Sequence, residues 1–107
     1  MSHPVTGLET TVHQRVRLGI LAVVLESKRV DFSFLRDTLD VTDGNLSRHL
    51  HVLEEAGYIE IEKVFEHRRP RTWVRATPEG RSAFDAEVAA LRALLVRVGP
   101  REKGERS

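Results

Sequence analysis

Three side chains along one predicted helix have the chemical types of a hydrolytic triad. Asp43, Ser47 and His51 are spaced four residues apart, which places them on one face of a helix. A carboxylate, a hydroxyl and an imidazole in that relation could serve as orienting group, nucleophile and general base. A convex helix face has no pocket, however, and offers no donors that could surround a reacting carbonyl. We therefore expect no catalytic residues and no enzyme.

Metal and cofactor binding are also disfavoured. His49 and His51 are only two residues apart, so their imidazoles would point to different sides of a helix. The chain has no cysteine, and no second cluster of ligand-type residues accompanies the histidines. Glycine-rich loops of the phosphate-binding type are absent from the sequence as well. We therefore predict neither a metal site nor a bound cofactor.

The outer face of the same helix is better suited to contact with DNA. It begins with small residues, Gly44 and Ser47, which would let the helix approach another surface closely. Arg48 can reach past them as a bidentate donor to guanine or phosphate. The residues predicted to face DNA from this helix are Thr42, Asp43, Gly44, Asn45, Ser47, Arg48 and His51. An ordinary solvated helix face would look similar, so the helix alone does not decide its function.

A basic hairpin, or wing, is predicted directly after this helix. Residues 58–65 and 72–74 have the composition of short strands, and Pro70 favours a loop between them. From His67 to Arg75 inclusive there are four arginines and no acid, a pattern typical of contact with phosphates or the minor groove. The residues predicted to contact DNA from this wing (63–73) are Lys63, His67, Arg68, Arg69 and Arg71.

Two observations oppose a DNA-binding wing. The acids Glu60, Glu62 and Glu66 lie in the first strand, and the arginine stems could instead pack on Trp73 in a soluble turn. The net charge is only +1, with 17 Lys and Arg against 16 Asp and Glu. Any binding to DNA must therefore depend on local basic patches.

The helix at 42–56 has distinct ends in the sequence. Thr42 suits an N-cap and Gly57 suits a C-terminal stop. Between them, Leu46, Leu50 and Leu53 form one apolar stripe that must face the core.

A shorter helix is predicted just before it, capped by Asp31, closed by Asp40 and preceded by a loop at 27–30. Two short helices joined by a brief turn form a helix-turn-helix. The fold class expected is α+β, mostly α: three helices, a two-stranded wing and a long C-terminal helix.

The first and last helices carry more apolar surface than so small a domain can hide. The helix from residue 10 or 11 to 25 is apolar on several sides. The last helix, 78–98, begins after a capping Thr77 and repeats apolar residues at spacings of four and three. We therefore predict a homodimer, although this seam could instead pack on the first helix of the same chain. The predicted interface residues are Val16, Ile20, Val24, Phe84, Val88, Leu91, Leu95 and Val98.

Length and composition indicate one domain. With 107 residues, 40% of them hydrophobic, the chain can bury one modest core, which we place at 11–98. Residues 1–10 are expected to form a flexible N-terminal arm and residues 99–107 a disordered tail. No long apolar run and no signal-like segment is present, so a soluble protein of the cytoplasm is expected.

Taken together, several segments closely resemble the small winged helix DNA-binding regulators related to the MarR and ArsR repressors. The resemblance covers about residues 13 to 95, and its phrases are DFSFLRDTL (31–39), TDGNLSRHL (42–50), LEEAGYI (53–59), RRPRT (68–72) and TPEGR (77–81). It implies a dimeric transcriptional regulator whose helix 42–56 enters the major groove and whose wing touches the DNA backbone or minor groove. The chain departs from the family pattern at Asp40 and His67, where glycine is usual, and at Ala76, where leucine is usual.

Two points remain open in the sequence. Winged helices also serve as protein–protein adaptors, so an adaptor without specific DNA binding is the alternative function. A small-molecule effector, if there is one, would have to bind at the dimer interface or the N-terminal arm, and no residue cluster identifies it.

Overall fold

The computed structural model describes residues 4–98 of the chain, with side-chain surroundings from residue 14 onward. Its elements are α1 (Pro4–Val24), β1 (Val30–Asp31), α2 (Phe32–Leu39), α3 (Asp43–Glu55), β2 (Ile59–Glu66), β3 (Arg69–Ala76) and α4 (Pro78–Val98). The strands form one antiparallel sheet in the order β1-β3-β2. The predicted α+β architecture, a helix-turn-helix followed by a two-stranded wing and a long last helix, is confirmed.

Local side-chain chemistry sets the starts of three helices as predicted. Asp31, Thr42 and Thr77 each accept a hydrogen bond from a backbone N–H in the first turn of their helix, at 2.8, 3.1 and 3.0 Å. These bonds satisfy donors that the helix itself cannot pair. The caps thereby fix where α2, α3 and α4 begin.

Residues in left-handed backbone conformation end α2 and α3. Asp40 closes α2 with φ 55°, which explains why glycine is usual here in the family that the chain resembles. After α3, Gly57 has φ +82° and the Tyr58 N–H donates to the Leu53 carbonyl at 3.0 Å. This is a Schellman motif, and it turns the chain directly from α3 into β2.

One apolar core joins the helices to the sheet. The apolar stripe predicted for α3 is confirmed, since Leu46, Leu50 and Leu53 are all buried. The buried apolar residues are Ile20, Leu21, Val24, Val30, Leu35, Leu46, Leu50, Leu53, Ile59 and Val74. Because α3 buries this face, its opposite face must lie outward.

The structure corrects three expectations about the elements. Helix α1 begins at Pro4, so residues 4–10 are helical and do not form an arm; the rest of the predicted arm and the tail at 99–107 lie outside the described residues. Val30, expected in a loop, pairs with Val74 and adds a third strand to the sheet. Pro70, also expected in a loop, lies within β3.

Within residues 4–98, the helices include none that is both long enough and apolar enough to span a membrane.

Candidate nucleic-acid interface

The outward face of α3 has the predicted composition. All seven residues expected to face DNA from this segment are exposed: Thr42, Asp43, Gly44, Asn45, Ser47, Arg48 and His51. A Cβ added at Gly44 would have nothing within 4 Å, and Gly44 has no positive φ. The fold therefore does not require glycine at this position, and its small size leaves room for an external surface.

Two hydrogen bonds organise this face. Arg48 donates from Nη2 to Asn45 Oδ1 at 2.8 Å, which holds the guanidinium along the helix surface. Asp43 accepts from Arg36 Nη1 at 3.0 Å, an ion pair that joins α2 to the first turn of α3. Asp43 thus has an ion-pair partner within the chain.

Asp43, Ser47 and His51, the three residues with the chemical types of a hydrolytic triad, form no hydrogen-bonded triad in the structure. Asp43 pairs with Arg36, while His51 Nε2 lies 3.4 Å from Glu55 Oε2 on the next turn of the helix. Within the described residues, no hydrogen bond links Ser47 to His51. His49 is buried, and its Nδ1 accepts from Arg17 Nε at 3.3 Å, a contact that joins α3 to α1.

An open groove of about 680 Å³ lies between α3 and the wing. Ser47 and His51 line it from the helix, and Lys63 and Thr72 line it from the strands. The groove thus brings Ser47 and His51, predicted as DNA contacts of the helix, close to Lys63, which was predicted separately as a contact of the wing.

The wing itself is a tight hairpin. β2 and β3 pair from Ile59–Ala76 to Glu66–Arg69, which leaves only His67 and Arg68 in the turn. Their φ angles are 49° and 65°, the left-handed pair that two-residue hairpin turns require. Side chains other than glycine cost about 1–3 kcal/mol in such conformations. The hairpin thus holds the His67 imidazole and the Arg68 guanidinium at its apex despite that cost.

Alternation along the strands places the wing acids on one face, which they share with Arg69, Arg71 and Arg75. Glu60, Glu62 and Glu66 lie on the sheet face opposite to that of Lys63. Two of these acids have partners on the same face: Glu60 Oε1 is 2.9 Å from Arg75 Nε, and Glu66 Oε1 is 3.8 Å from Arg71 Nη1. The acids that opposed a DNA-binding wing are therefore turned away from the groove.

Arg71, predicted as a DNA contact, makes its contacts within the chain. Its guanidinium donates to Asp31 Oδ2 at 3.0 Å and lies 4.8 Å from the centroid of the Trp73 ring. Arg29 lies over the same ring at 3.8 Å. The alternative in which arginine stems pack on Trp73 thus applies to Arg71. Within the described residues, no ion pair involves Lys63, His67, Arg68 or Arg69, and all four are exposed.

The contact between Asp31 and Arg71 predicts a pH dependence of stability. The Phe34 N–H, and secondarily the Arg71 guanidinium, stabilise the Asp31 carboxylate and hold its pKa below the usual 3.8. The unfolded chain therefore takes up this proton at higher pH than the folded chain, and the stabilisation, present above about pH 4, is lost as the pH falls further. Asp31→Asn retains a capping oxygen but no charge. We expect its deficit in unfolding free energy relative to wild type to shrink from pH 6 to pH 3, as followed by urea denaturation. A deficit that stays constant over that range would contradict this assignment.

The predicted dimer residues divide into two groups. Ile20 and Val24 are 0% and 1% exposed in the chain's own core, so their assignment to an interface is corrected. Val16 and Phe84 are half-buried against that core, and Val88 is half-buried. The end of α4 differs, because its large apolar residues are exposed: Leu91, Leu94, Leu95, Val96 and Val98. Only the first half of the seam is covered by the same chain.

Sequence reasoning missed Phe65. The sequence places it in a strand and assigns it no functional role, but the residue is 72% exposed near the tip of the wing. Counting alternate residues from the buried Ile59 places Phe65 on the groove face of β2. No pattern in the sequence indicates that the groove ends before Phe65 and leaves its ring exposed.

Comparison with known proteins agrees with this geometry. Residues 16–95 match the family model of a winged helix DNA-binding domain. The chain is 41% identical over 69 residues to the uncharacterized protein MJ0432 of Methanocaldococcus jannaschii, covering 64% of this chain and 75% of that protein. It superposes on a transcriptional regulator homologue from Pyrococcus horikoshii OT3 with a TM-score of 0.75 and 35% identity, covering 80% of this chain and 85% of the other. The M. tuberculosis transcriptional regulator MOSR, solved in complex with DNA, shares the fold with a TM-score of 0.64 at 24% identity, over 78% of this chain and 59% of that one.

Proposed function

Since the chain belongs to the winged helix DNA-binding domain family of transcription regulators, we propose that it binds specific double-stranded DNA sites as a homodimer. Helix α3 enters the major groove, and the wing contacts the backbone or minor groove beside it. The observation that carries this proposal is the position of the unpaired basic groups of the wing relative to its acids. Its unpaired basic groups lie at the tip and on the groove side, whereas its acids face away.

Within α3, the proposed base-reading residues are Asn45, Ser47, Arg48 and His51. Their side chains are exposed, and Gly44 beside them permits close approach. Arg48 can donate to guanine and Asn45 to adenine, once their mutual hydrogen bond is exchanged for contacts with bases.

In the wing, Lys63, His67, Arg68 and Arg69 are the proposed groups for backbone contact. Their exposure and their lack of ion-pair partners within the described residues support this role. Such contacts release counterions from DNA, so affinity should fall steeply with salt. A test is the retention of the protein on random duplex DNA between about 50 and 200 mM salt. A flat response would instead favour the protein–protein adaptor, which needs no affinity for phosphate.

The homodimer is supported by the uncovered apolar end of α4. Leu91 and Leu95 continue the seam of Phe84 and Val88, and they are 41% and 66% exposed. Side chains of this kind are normally buried against another surface. A second copy of α4 offers the same seam, so an interface related by a two-fold axis would cover both.

Placing a charge on this seam should separate the protomers. We expect Leu95→Glu to shift the protein from dimer to monomer in light scattering, because the buried carboxylate would have no partner. Ala93→Glu is the matched control, since Ala93 is exposed on the same helix but lies off the seam. If both variants and the wild type gave the same mass, α4 would not be the dimer interface.

We propose one groove of the chain as the site for a small-molecule effector. A groove of about 670 Å³ between α1, α3 and α4 is lined mainly by apolar surface, including Leu18, Val52 and Leu91, with Arg15 and Arg17 among its polar residues. Its position between the helix that reads DNA and the proposed dimer helix supports it as the place where such a ligand would act.

A further inference from the structure

Phe65 is the most exposed aromatic residue in the part of the chain that the structure describes. Phe65 is 72% accessible, compared with 55% for the other exposed phenylalanine, Phe34. It lies one residue before the last pair of the hairpin ladder, close to the turn. Neither the core nor the seam on α4 includes it, so the fold gives no reason for an aromatic ring here.

A rigid apolar partner lies directly across the hairpin. Phe65 is opposite Pro70 in the strand register. Glu66 and Arg69 close the two-residue turn as a hydrogen-bonded pair. Because hydrogen-bonded and non-hydrogen-bonded pairs alternate along an antiparallel ladder, the next pair, Phe65 and Pro70, exchanges no backbone hydrogen bonds. The missing N–H of proline therefore costs the sheet nothing, and the two side chains stand close together.

Charge indicates what this apolar pair meets. Alternation puts Phe65 and Pro70 on the same face as Lys63 and Thr72, which line the groove with α3. The wing acids are on the other face together with Arg69, while Lys63 on the same face as the pair and Arg68 in the turn have no ion-pair partners in the described chain. An apolar pair beside cations is complementary to a polyanion with an apolar interior. DNA has these properties, because its stacked bases lie between phosphates, whereas an acidic protein surface lacks the apolar interior.

We propose that Phe65 and Pro70 form an apolar wedge that enters the minor groove and opens one base step beside the site contacted by α3. The inference rests on the proposed DNA-binding function and adds to it a second source of selectivity. Apolar wedges of phenylalanine and proline partially unstack base steps, and flexible pyrimidine–purine steps are opened most easily. The wing would thus select DNA sites by how easily their base steps deform, in addition to binding the DNA backbone through its positive charges.

Fluorescence of 2-aminopurine tests the wedge, since this adenine analogue brightens when it is unstacked. The probe is a duplex selected from random sequence by the purified protein, with 2-aminopurine replacing adenine at one flanking position at a time. We expect wild type to raise the fluorescence at one position in each flank, Phe65→Leu to retain the rise, and Phe65→Ala to lose it. Phe65→Ala should also lose the preference for a pyrimidine–purine step there, while its salt dependence stays that of wild type.

The matched control is Val64→Ala, which truncates the neighbouring residue on the opposite face of the same strand. It should retain the fluorescence rise, so a loss in both alanine variants would indicate a weakened hairpin and overturn the wedge. The wedge is also overturned if wild type binds the duplex with normal salt dependence but brightens no position. Failure of wild type to bind any duplex would instead contradict the proposed function itself.

Discussion

Alanine in place of Gly80 is expected to lower the free energy of unfolding by about 1–3 kcal/mol or more, as backbone overpacking does. A Cβ at this position would overlap the carbonyl oxygen of Tyr58, which is backbone and cannot rotate away. That carbonyl also accepts from the Thr77 N–H at 3.0 Å. The first turn of α4 is thus docked on Tyr58, in the turn between α3 and β2.

This contact connects the proposed dimer helix to the proposed reading helix. The Thr77 hydroxyl extends the link by donating to the Gly57 carbonyl at 2.6 Å. Any shift of α4 away from Tyr58 would change the distance between the two α3 helices of a dimer. We therefore expect Gly80→Ala to weaken binding to a two-part site more than it weakens binding to a single half-site.

Urea denaturation provides the measurement, and Gly44→Ala provides the control. Both residues are helical glycines, but the space around Gly44 is open. Alanine there should leave stability unchanged or raise it by up to about 1 kcal/mol, following helix propensity. Equal unfolding midpoints for the two variants would show that the contact between Gly80 and Tyr58 does not constrain the fold.

Arg48→Ala is expected to weaken binding to the specific site by about 1–3 kcal/mol and to relax selectivity at one base position. Arg48 is exposed, and the hydrogen bond it makes goes to another exposed side chain, Asn45. Removing it should leave the fold intact. The loss would therefore come from the missing bidentate contact with a base.

The comparison that isolates this role is Arg69→Ala at the wing tip. It should weaken binding to all duplexes alike and reduce the salt dependence by about one ion. Titrations of each variant against the selected site and a scrambled duplex measure both effects. If Arg48→Ala weakened the two duplexes equally, Arg48 would be a phosphate contact and α3 would have a different reading residue.

The helix boundaries were the most predictable part of the fold, because their causes are local. Asp31, Thr42 and Thr77 bond to N–H groups three residues away, and Gly57 supplies the left-handed turn. In contrast, β1 has only two residues, too few to show alternation, and it exists through pairing with Val74 and Trp73. The wing turn was also hidden, since His67-Arg68 is not a typical two-residue turn sequence.

The candidate site was also predictable only where its features depend on local sequence. The exposed face of α3 followed from helical periodicity, which applies within one element. The distinction between Arg71, paired with Asp31, and the unpaired Arg69 depends on a contact across forty residues of chain. Likewise, Ile20 and Val24 are residue types found in either a core or an interface, and only their burial in the folded chain assigns them to the core.

Selection of bound sequences from random duplexes tests the central claim most directly. A dimer that reads DNA through α3 should enrich a palindrome with half-sites about one helical turn (~34 Å) apart. The enriched site should also be lost from the pool selected by Arg48→Ala. Recovery of no common sequence by the wild-type protein would contradict specific DNA binding and favour the adaptor.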